Sequence, residues 1–312
     1  MSKIKGVLLT EGMHGMISQA EGLAKALDLN FIHQKVELNH FWRFLPPKIT
    51  PIKQFILKEK IESDSKVVIS CGRKSVIPSI ILKKKYKEKI FTIHIQDPKV
   101  GLNNFDLIIV PEHDNLRGEN VISSKGAIHY ITKAEIEKSK SYLTNKITSN
   151  KIVALILGGP NKYYDFSVEE LTKVFKEIKS KFMSLEYKIV VVPSMRTPKT
   201  IIDLAVKEFV DHGYVVQNID RNAYLSSFGL AKSIIVTCDS TSMISEAATS
   251  GKPIFIAHMK AKKNNYRFKK FFELFREMGI TRNLGEKIED WSYNYFNESE
   301  RIAKIVKEKW NI

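Results

Sequence analysis

The run Thr237-Cys238-Asp239-Ser240-Thr241-Ser242-Met243-Ile244-Ser245-Glu246 closes a β-branched stretch with an acid and three successive hydroxyls, then continues at helical spacing. Hydroxyls and unpaired N–H groups at a helix start make a cradle for phosphate. Glu246, one turn in, is placed to take the two hydroxyls of a ribose. An Asp/Ser helix cap with near-capping-box spacing is the plainer reading, and it accounts for one hydroxyl rather than three. A second loop, Gly158-Gly159-Pro160-Asn161-Lys162, follows another apolar run, and Arg196 stands at the end of the next. Two glycines free the backbone to approach a pyrophosphate, whose charge Lys162 and Arg196 would neutralise.

Three further loops earlier in the chain could also do chemistry. Gly72-Arg73-Lys74-Ser75 places a glycine, two cations and a hydroxyl at a helix start, an anion nest or simply two solvated cations. Glu11, Gly12, His14 and Gly15 lie in a glycine-rich turn after the first strand, a functional loop or a plain turn. Asp97, in Gln96-Asp97-Pro98 at a strand's end, is placed either as a general base or as a turn cap. Asp97, Glu11 and His14 are thus the candidate catalytic residues.

These loops need a frame that aligns them. Short β-branched runs alternate with helical stretches, the pattern of a parallel α/β sheet. Strands are expected at Lys5–Thr10, Asn30–Val36, Lys66–Ser70, Ile90–Ile95 and Leu107–Val110, with a short one at 121–122. A polar Ser139–Asn150 stretch reads as a linker, after which the pattern restarts at Ile152. The reading is two Rossmann-like domains facing a cleft, 1–145 and 146–298, with an amphipathic helix over 299–312 returning to the first. Ligands of such sheets sit beyond the carboxyl ends of the strands, where all five loops fall.

Composition narrows the function. The 312 residues carry a net charge of +16, but only nine of the 50 basic residues are arginine. Nucleic-acid surfaces favour arginine for its bidentate geometry, and no nucleic-acid-binding motif is visible, so no nucleic-acid partner is expected. A basic surface suits anionic ligands or an anionic membrane. The segment Lys260–Lys270, with Tyr266 and Phe268 interleaved and Phe271, Phe272 and Phe275 following, reads as a membrane-facing surface or as an amphipathic helix with its aromatic side in the core. No apolar run is long enough to cross a bilayer and no secretory signal is visible, which places the expected protein in the cytoplasm, peripheral to a membrane at most. Two cysteines are too few for a disulfide framework, and neither a metal nor a cofactor is expected.

The chain resembles the mitochondrial fission ELM (elongated mitochondria) family. The resemblance runs through Gln19–Ala24, Gly72–Val76, Ile95–Pro98, Phe105–Asp114, Leu157–Pro160, Arg196–Pro198, Val236–Pro253, Trp291–Tyr293 and Glu300–Ala303. It implies a glycosyltransferase B-type fold with a donor nucleotide on the second domain, an acceptor on the first, and a fission-machinery partner. The site residues it supports are Gly158, Gly159, Arg196, Asp239, Ser240, Ser242 and Glu246. With Thr241, Asn161 and Lys162 these make the nucleotide side; Gly12, Gly15, Gly72, Arg73, Lys74 and Ser75 make the acceptor side. The expected activity is metal-independent transfer from a nucleotide-sugar (UDP, GDP or another) to an acceptor that a membrane lipid carries. The alternatives are a non-catalytic membrane adaptor and a nucleotide-sugar epimerase.

Overall fold

The computed structural model describes residues 3–310. The chain up to Tyr130 together with that from Asn297 onward forms one compact unit, and Ile131–Phe296 forms another.

The first unit is built on β1 (Lys5–Thr10), β2 (Asn30–Lys35), β3 (Val67–Cys71), β4 (Phe91–Ile95), β5 (Leu107–Pro111) and β6 (Val121–Ser124), with helices α1 (His14–Ala26) and α2 (Val76–Tyr86). All strands are parallel, in the order β2-β1-β3-β4-β5-β6. The central strands are fully buried, which is why they read as continuous apolar runs rather than alternating ones. Gly72, at φ +91°, makes the turn after β3; a Cβ there would also strike the Met16 sulfur at 2.4 Å.

The second unit contains α3 (Lys133–Ser139), β7 (Ile152–Leu157), α4 (Val168–Phe182), β8 (Lys188–Pro193), α5 (Lys199–Phe209), β9 (Gly213–Val215), α6 (Arg221–Leu230), β10 (Ser233–Thr237), α7 (Thr241–Ala248), β11 (Ile254–Ala257), α8 (Tyr266–Glu277) and β12 (Thr281–Asn283). Its six parallel strands run β12-β11-β10-β7-β8-β9. α4 shows why these residues make a helix there. Ser167 caps the Glu170 amide, acids fill the first turn and lysines the last. Leu171, Val174, Phe175, Ile178 and Phe182 fall on one stripe and are buried.

Helix α9 (Glu298–Trp310) returns to the first unit. Ile302, Ala303 and Val306 enter the core beside Leu23 and Ile122, and Trp310 stacks on Phe91 at 4.8 Å between centroids. Its entry is anchored by Glu298, fully buried, which accepts from the Lys125 amide at 2.8 Å and from the Arg301 guanidinium.

The unit boundary falls near residue 130 rather than 145. The polar composition of 139–150 hides a packed element. Thr132 and Glu135 form a capping box that starts α3, and Ile136 and Leu143 are buried. The Ser226 hydroxyl accepts from the Leu143 amide at 3.1 Å and donates to the Lys140 carbonyl at 2.8 Å.

Candidate functional site

In the second sheet the chain order reverses between β7 and β10, and a doubly wound sheet opens its ligand crevice at such a switch point. The loops after these two strands are Gly158–Lys162 and Cys238–Ser240, so the topology brings two of the expected ligand loops together. Their contents differ from the expectation. The crevice holds a carboxylate of the protein itself.

Asp239, whose side chain is fully buried, accepts from the Gly159 amide at 2.9 Å, from the Thr237 hydroxyl at 2.7 Å and from the Arg196 guanidinium at 2.8 Å. The Gly158 amide donates to Thr237 Oγ1 at 2.9 Å. The two glycines therefore answer to the interior. A Cβ on Gly158 would lie 2.1 Å from Asp239 Oδ2, and one on Gly159 would lie 2.1 Å from the Arg196 carbonyl oxygen. Arg196 also donates to the Gly159 carbonyl at 3.0 Å. The Gly159 amide and Arg196, expected to meet a pyrophosphate, are both engaged by Asp239. Burial raises the Asp239 carboxyl above its ordinary range, against the pull of the Gly159 amide, the Thr237 hydroxyl and Arg196.

Asn161 is likewise internal. Its amide nitrogen donates to the Asp239 carbonyl at 3.0 Å, and its oxygen accepts from the Tyr163 and Tyr164 amides. Lys162 is exposed, with its ammonium 4.8 Å from the centre of the Tyr163 ring.

What stays open is the start of α7. Ser240 is the cap, accepting from the Met243 amide at 3.4 Å, as the plainer reading of this loop expects. Thr241 and Ser242 form the first turn, half-buried, and among the described residues neither hydroxyl has a hydrogen-bond partner. Glu246 lies one turn further, half-buried, accepting from the Tyr224 hydroxyl at 2.7 Å. Burial pushes its carboxyl up to about 7, against that hydrogen bond. A cavity of about 580 Å³ opens beyond the neighbouring strand, lined by Tyr164, His258, Lys263, Asn265, Lys269 and Phe272. The Met259 amide, also on its wall, donates to Cys238 Sγ at 3.3 Å, which ties the cavity to the end of β10.

In the first unit the switch point lies between β1 and β3. Here too the facing loops pair with each other: Lys74 donates to Glu11, both largely buried. Arg73 donates to the Arg43 carbonyl at 2.8 Å and the Leu45 carbonyl at 3.3 Å, and Ser75 to the Gly72 carbonyl at 2.8 Å. The expected anion nest is thus a set of internal anchors. Gly12 takes φ +87° in the turn after β1, and Gly15 and His14 are exposed at the start of α1. Asp97 accepts from the Lys99 amide at 2.9 Å and from the Lys99 ammonium, the turn-cap geometry. Burial alone would lift its carboxyl, but Lys99 outweighs it and holds the group below the ordinary value, away from what a general base needs near neutral pH.

The Lys260–Phe275 segment resolves to the core reading. Phe271 and Phe275 are buried, Phe268 packs edge-on against Tyr163 and Tyr164, and Phe272 packs on His258. Both cysteines are buried, with burial raising the thiols, that of Cys238 to about 12. Among the described residues no group of three or more His, Cys, Asp or Glu could hold a metal ion, and no helix is long and apolar enough to cross a membrane. Sequence reasoning missed Tyr224, and it named Thr237 in the loop run without giving it a role. Thr237 was legible in principle, as a hydroxyl at a strand end two residues before a buried acid. Tyr224, 22 residues from Glu246, gives no local signal.

Two parallel six-stranded sheets, each flanked by helices, define a protein of the glycosyltransferase B-type fold. The chain belongs to the mitochondrial fission ELM1 family, whose sequence model matches residues 14–310. It is 29% identical over 298 residues to an uncharacterized protein of Rickettsia prowazekii, covering 82% of this chain and 83% of that one. It is 24% identical over 271 residues to the mitochondrial fission protein ELM1 of Arabidopsis thaliana, covering 77% of this chain and 63% of the plant protein's length. Among solved structures it is similar to the UDP-GlcNAc 2-epimerase of Methanocaldococcus jannaschii, with a TM-score of 0.52, 13% identity, and 98% and 100% of the two chains covered. The MnaA–UDP co-structure from S. aureus gives the same TM-score at 15% identity, covering 99% and 97%.

Proposed function

We propose that the second unit binds a nucleoside diphosphate, in the form of a nucleotide-sugar, at the carboxyl edge of its sheet. The observation that carries this reading is the opening of α7, where Thr241 and Ser242 present hydroxyls and first-turn amides one turn before the half-buried acid Glu246. In this reading the first turn takes the diphosphate and Glu246 takes the ribose hydroxyls. Lys263 and Lys269, around the adjoining cavity, supply positive charge for the rest of the ligand. Asp239 and Arg196 act one step back: they hold the glycine loop and the start of α7 in register and do not touch the ligand. Solved structures of the fold hold UDP or UDP-GlcNAc, which supports the ligand class.

Sugar transfer is the reaction such a site suits, with the departing diphosphate stabilised by the α7 amides and the nearby cations without a metal. A second reading, binding without turnover as an adaptor, is favoured by one observation. Asp97 and Glu11 are each engaged by a lysine of their own unit, which leaves the exposed His14 as the remaining candidate base.

The test is a thermal-shift and calorimetric screen against UDP, GDP, CMP, ADP and their sugars. Binding to the folded state raises stability by about 2.7 kcal/mol at a hundredfold excess over Kd. One nucleotide should raise Tm, and Glu246→Ala and Ser242→Ala should each weaken its binding. No rise at millimolar ligand in a folded sample, or full-strength binding by both variants, overturns the reading. Sugar release with wild-type protein separates transfer from simple binding.

A further inference from the structure

The segment between β2 and β3 carries none of the residues to which the expected chemistry gives a role. It has an unusual surface. Phe41, Phe44, Ile49 and Phe55 are each more than 60% exposed, four large apolar side chains within fifteen residues. The other exposed large apolar side chains are scattered along the chain, which is ordinary for a protein surface. Large apolar side chains exposed together in one short segment mark an interaction site.

The patch is held in shape from below. Trp42 and Ile52 pack on the core, and Pro47, Thr50, Ile56 and Leu57 are buried. Asn39 donates to the Phe55 carbonyl at 2.7 Å, Arg73 to the Arg43 carbonyl at 2.8 Å, and Thr50 to the Pro46 carbonyl at 3.0 Å. The rings brace one another: Trp42 lies edge-on to Phe41 at 4.9 Å and to Phe55 at 5.8 Å. Arg43, Lys48 and Lys53 are exposed among them, and no acidic residue occurs from Leu38 to Lys58. Among the described residues neither Lys48 nor Lys53 has an acidic partner.

We infer that this ledge docks the first unit onto an anionic lipid bilayer, with Phe41, Phe44, Ile49 and Phe55 in the interface and Arg43, Lys48 and Lys53 among the headgroups. Aromatic rings beside unpaired cations, with no acid in the patch, suit that surface. The charge complementarity selects an anionic membrane over a neutral one. The docking is independent of the nucleotide reading and would stand if that reading failed.

The test is flotation of the full chain with phosphatidylcholine vesicles made with and without phosphatidylglycerol, at low and high salt. The protein should float with the anionic vesicles only, and less so in high salt. Phe41→Ser/Phe55→Ser should lower partitioning at least tenfold with Tm unchanged. Lys48→Gln/Lys53→Gln should lower it about fivefold per charge removed. Leu185→Ser, an exposed apolar change on the second unit, should leave it unaltered. Absence of flotation, equal flotation by the Phe41/Phe55 variant, or equal binding to neutral vesicles overturns the proposal. So does a wild-type dimer that the Phe41/Phe55 variant breaks while neither protein floats, which would assign the ledge to a second copy.

Discussion

Asp239 and Arg196 share a hydrogen bond of 2.8 Å in which the carboxylate is wholly shielded and the guanidinium is not. The acid sits where the loops after β7, β8 and β10 converge, and takes donors from the first two loops and from the last residue of β10. A carboxylate in that position does for the folded chain what a bound anion does in other crevices: it satisfies amides left open at the ends of parallel strands.

Removing both members of this pair should cost less than the two single removals added together. Arg196→Ala leaves a buried acid short of its cation, and a loss of about 2 kcal/mol is expected. Asp239→Ala leaves the Gly159 amide unpaired, with a similar cost. The double variant should lose clearly less than the sum, a coupling that urea denaturation of the four proteins measures. Additive losses would show that the pair does not act as one.

The glycine loop gives a sharper prediction. Gly158→Ala places a methyl group 2.1 Å from Asp239 Oδ2, and Gly159→Ala places one 2.1 Å from a backbone carbonyl. Each should destabilise by about 3 kcal/mol. Gly15→Ala, where nothing lies within 4 Å of the added carbon, should not destabilise. Urea midpoints compare the three.

Glu246 titrates near 7 when folded, above the ordinary value of 4.5. A raised carboxyl contributes its full stability below pH 4.5 and loses it as the pH rises through 7. Glu246→Gln should match wild type at pH 4.5 and exceed it at pH 8 by on the order of 2 kcal/mol. Tyr224→Phe, which removes the hydrogen bond to the carboxylate, should steepen the wild-type loss at pH 8.

His94 has the opposite sign. Its ring is fully buried, its Nδ1 pairs with the Ser70 hydroxyl at 2.8 Å, and its Nε2 has no partner. Burial pushes its pKa from 6.5 down to about 3. Stability from this group is complete above pH 6.5 and falls as the pH drops toward 3, because the unfolded chain takes the proton and the folded one does not. The gap between wild type and His94→Gln should narrow steadily from pH 7 to pH 4. A constant gap would show that the ring protonates in place.

Much of this architecture was legible because parallel strands bury both faces and so stand out as apolar runs. Ile152–Leu157 and Leu107–Pro111 are such runs, and the loops that follow them mark the sheet's carboxyl edge. The start of α7 was legible for the same reason. The partners were not. Nothing local to Arg196 says that its charge is met by an acid 43 residues on, nor that Lys74 reaches Glu11 across 63. Cations at strand ends read as ligand-binding whether a ligand or the protein's own carboxylate answers them. The unit boundary was hidden by composition, since Leu143 and Ile147 are too few to mark 139–150 as packed. The exposed ledge at 41–55 failed on pattern, since its rings alternate with neither helical nor strand period.

The second unit is an insertion in the first. The chain leaves the first unit after Tyr130 and returns only at Asn297, and α9 then supplies Ile302, Ala303 and Val306 to a core whose other members were made before residue 130. On a ribosome the two units therefore finish in reverse order of their beginning. Ile131–Phe296 is complete as soon as it emerges, while the first sheet waits with the face beneath Leu23 and Ile122 uncovered until α9 emerges. A chain cut short by its final helix would end as a finished second unit attached to an unsealed first one.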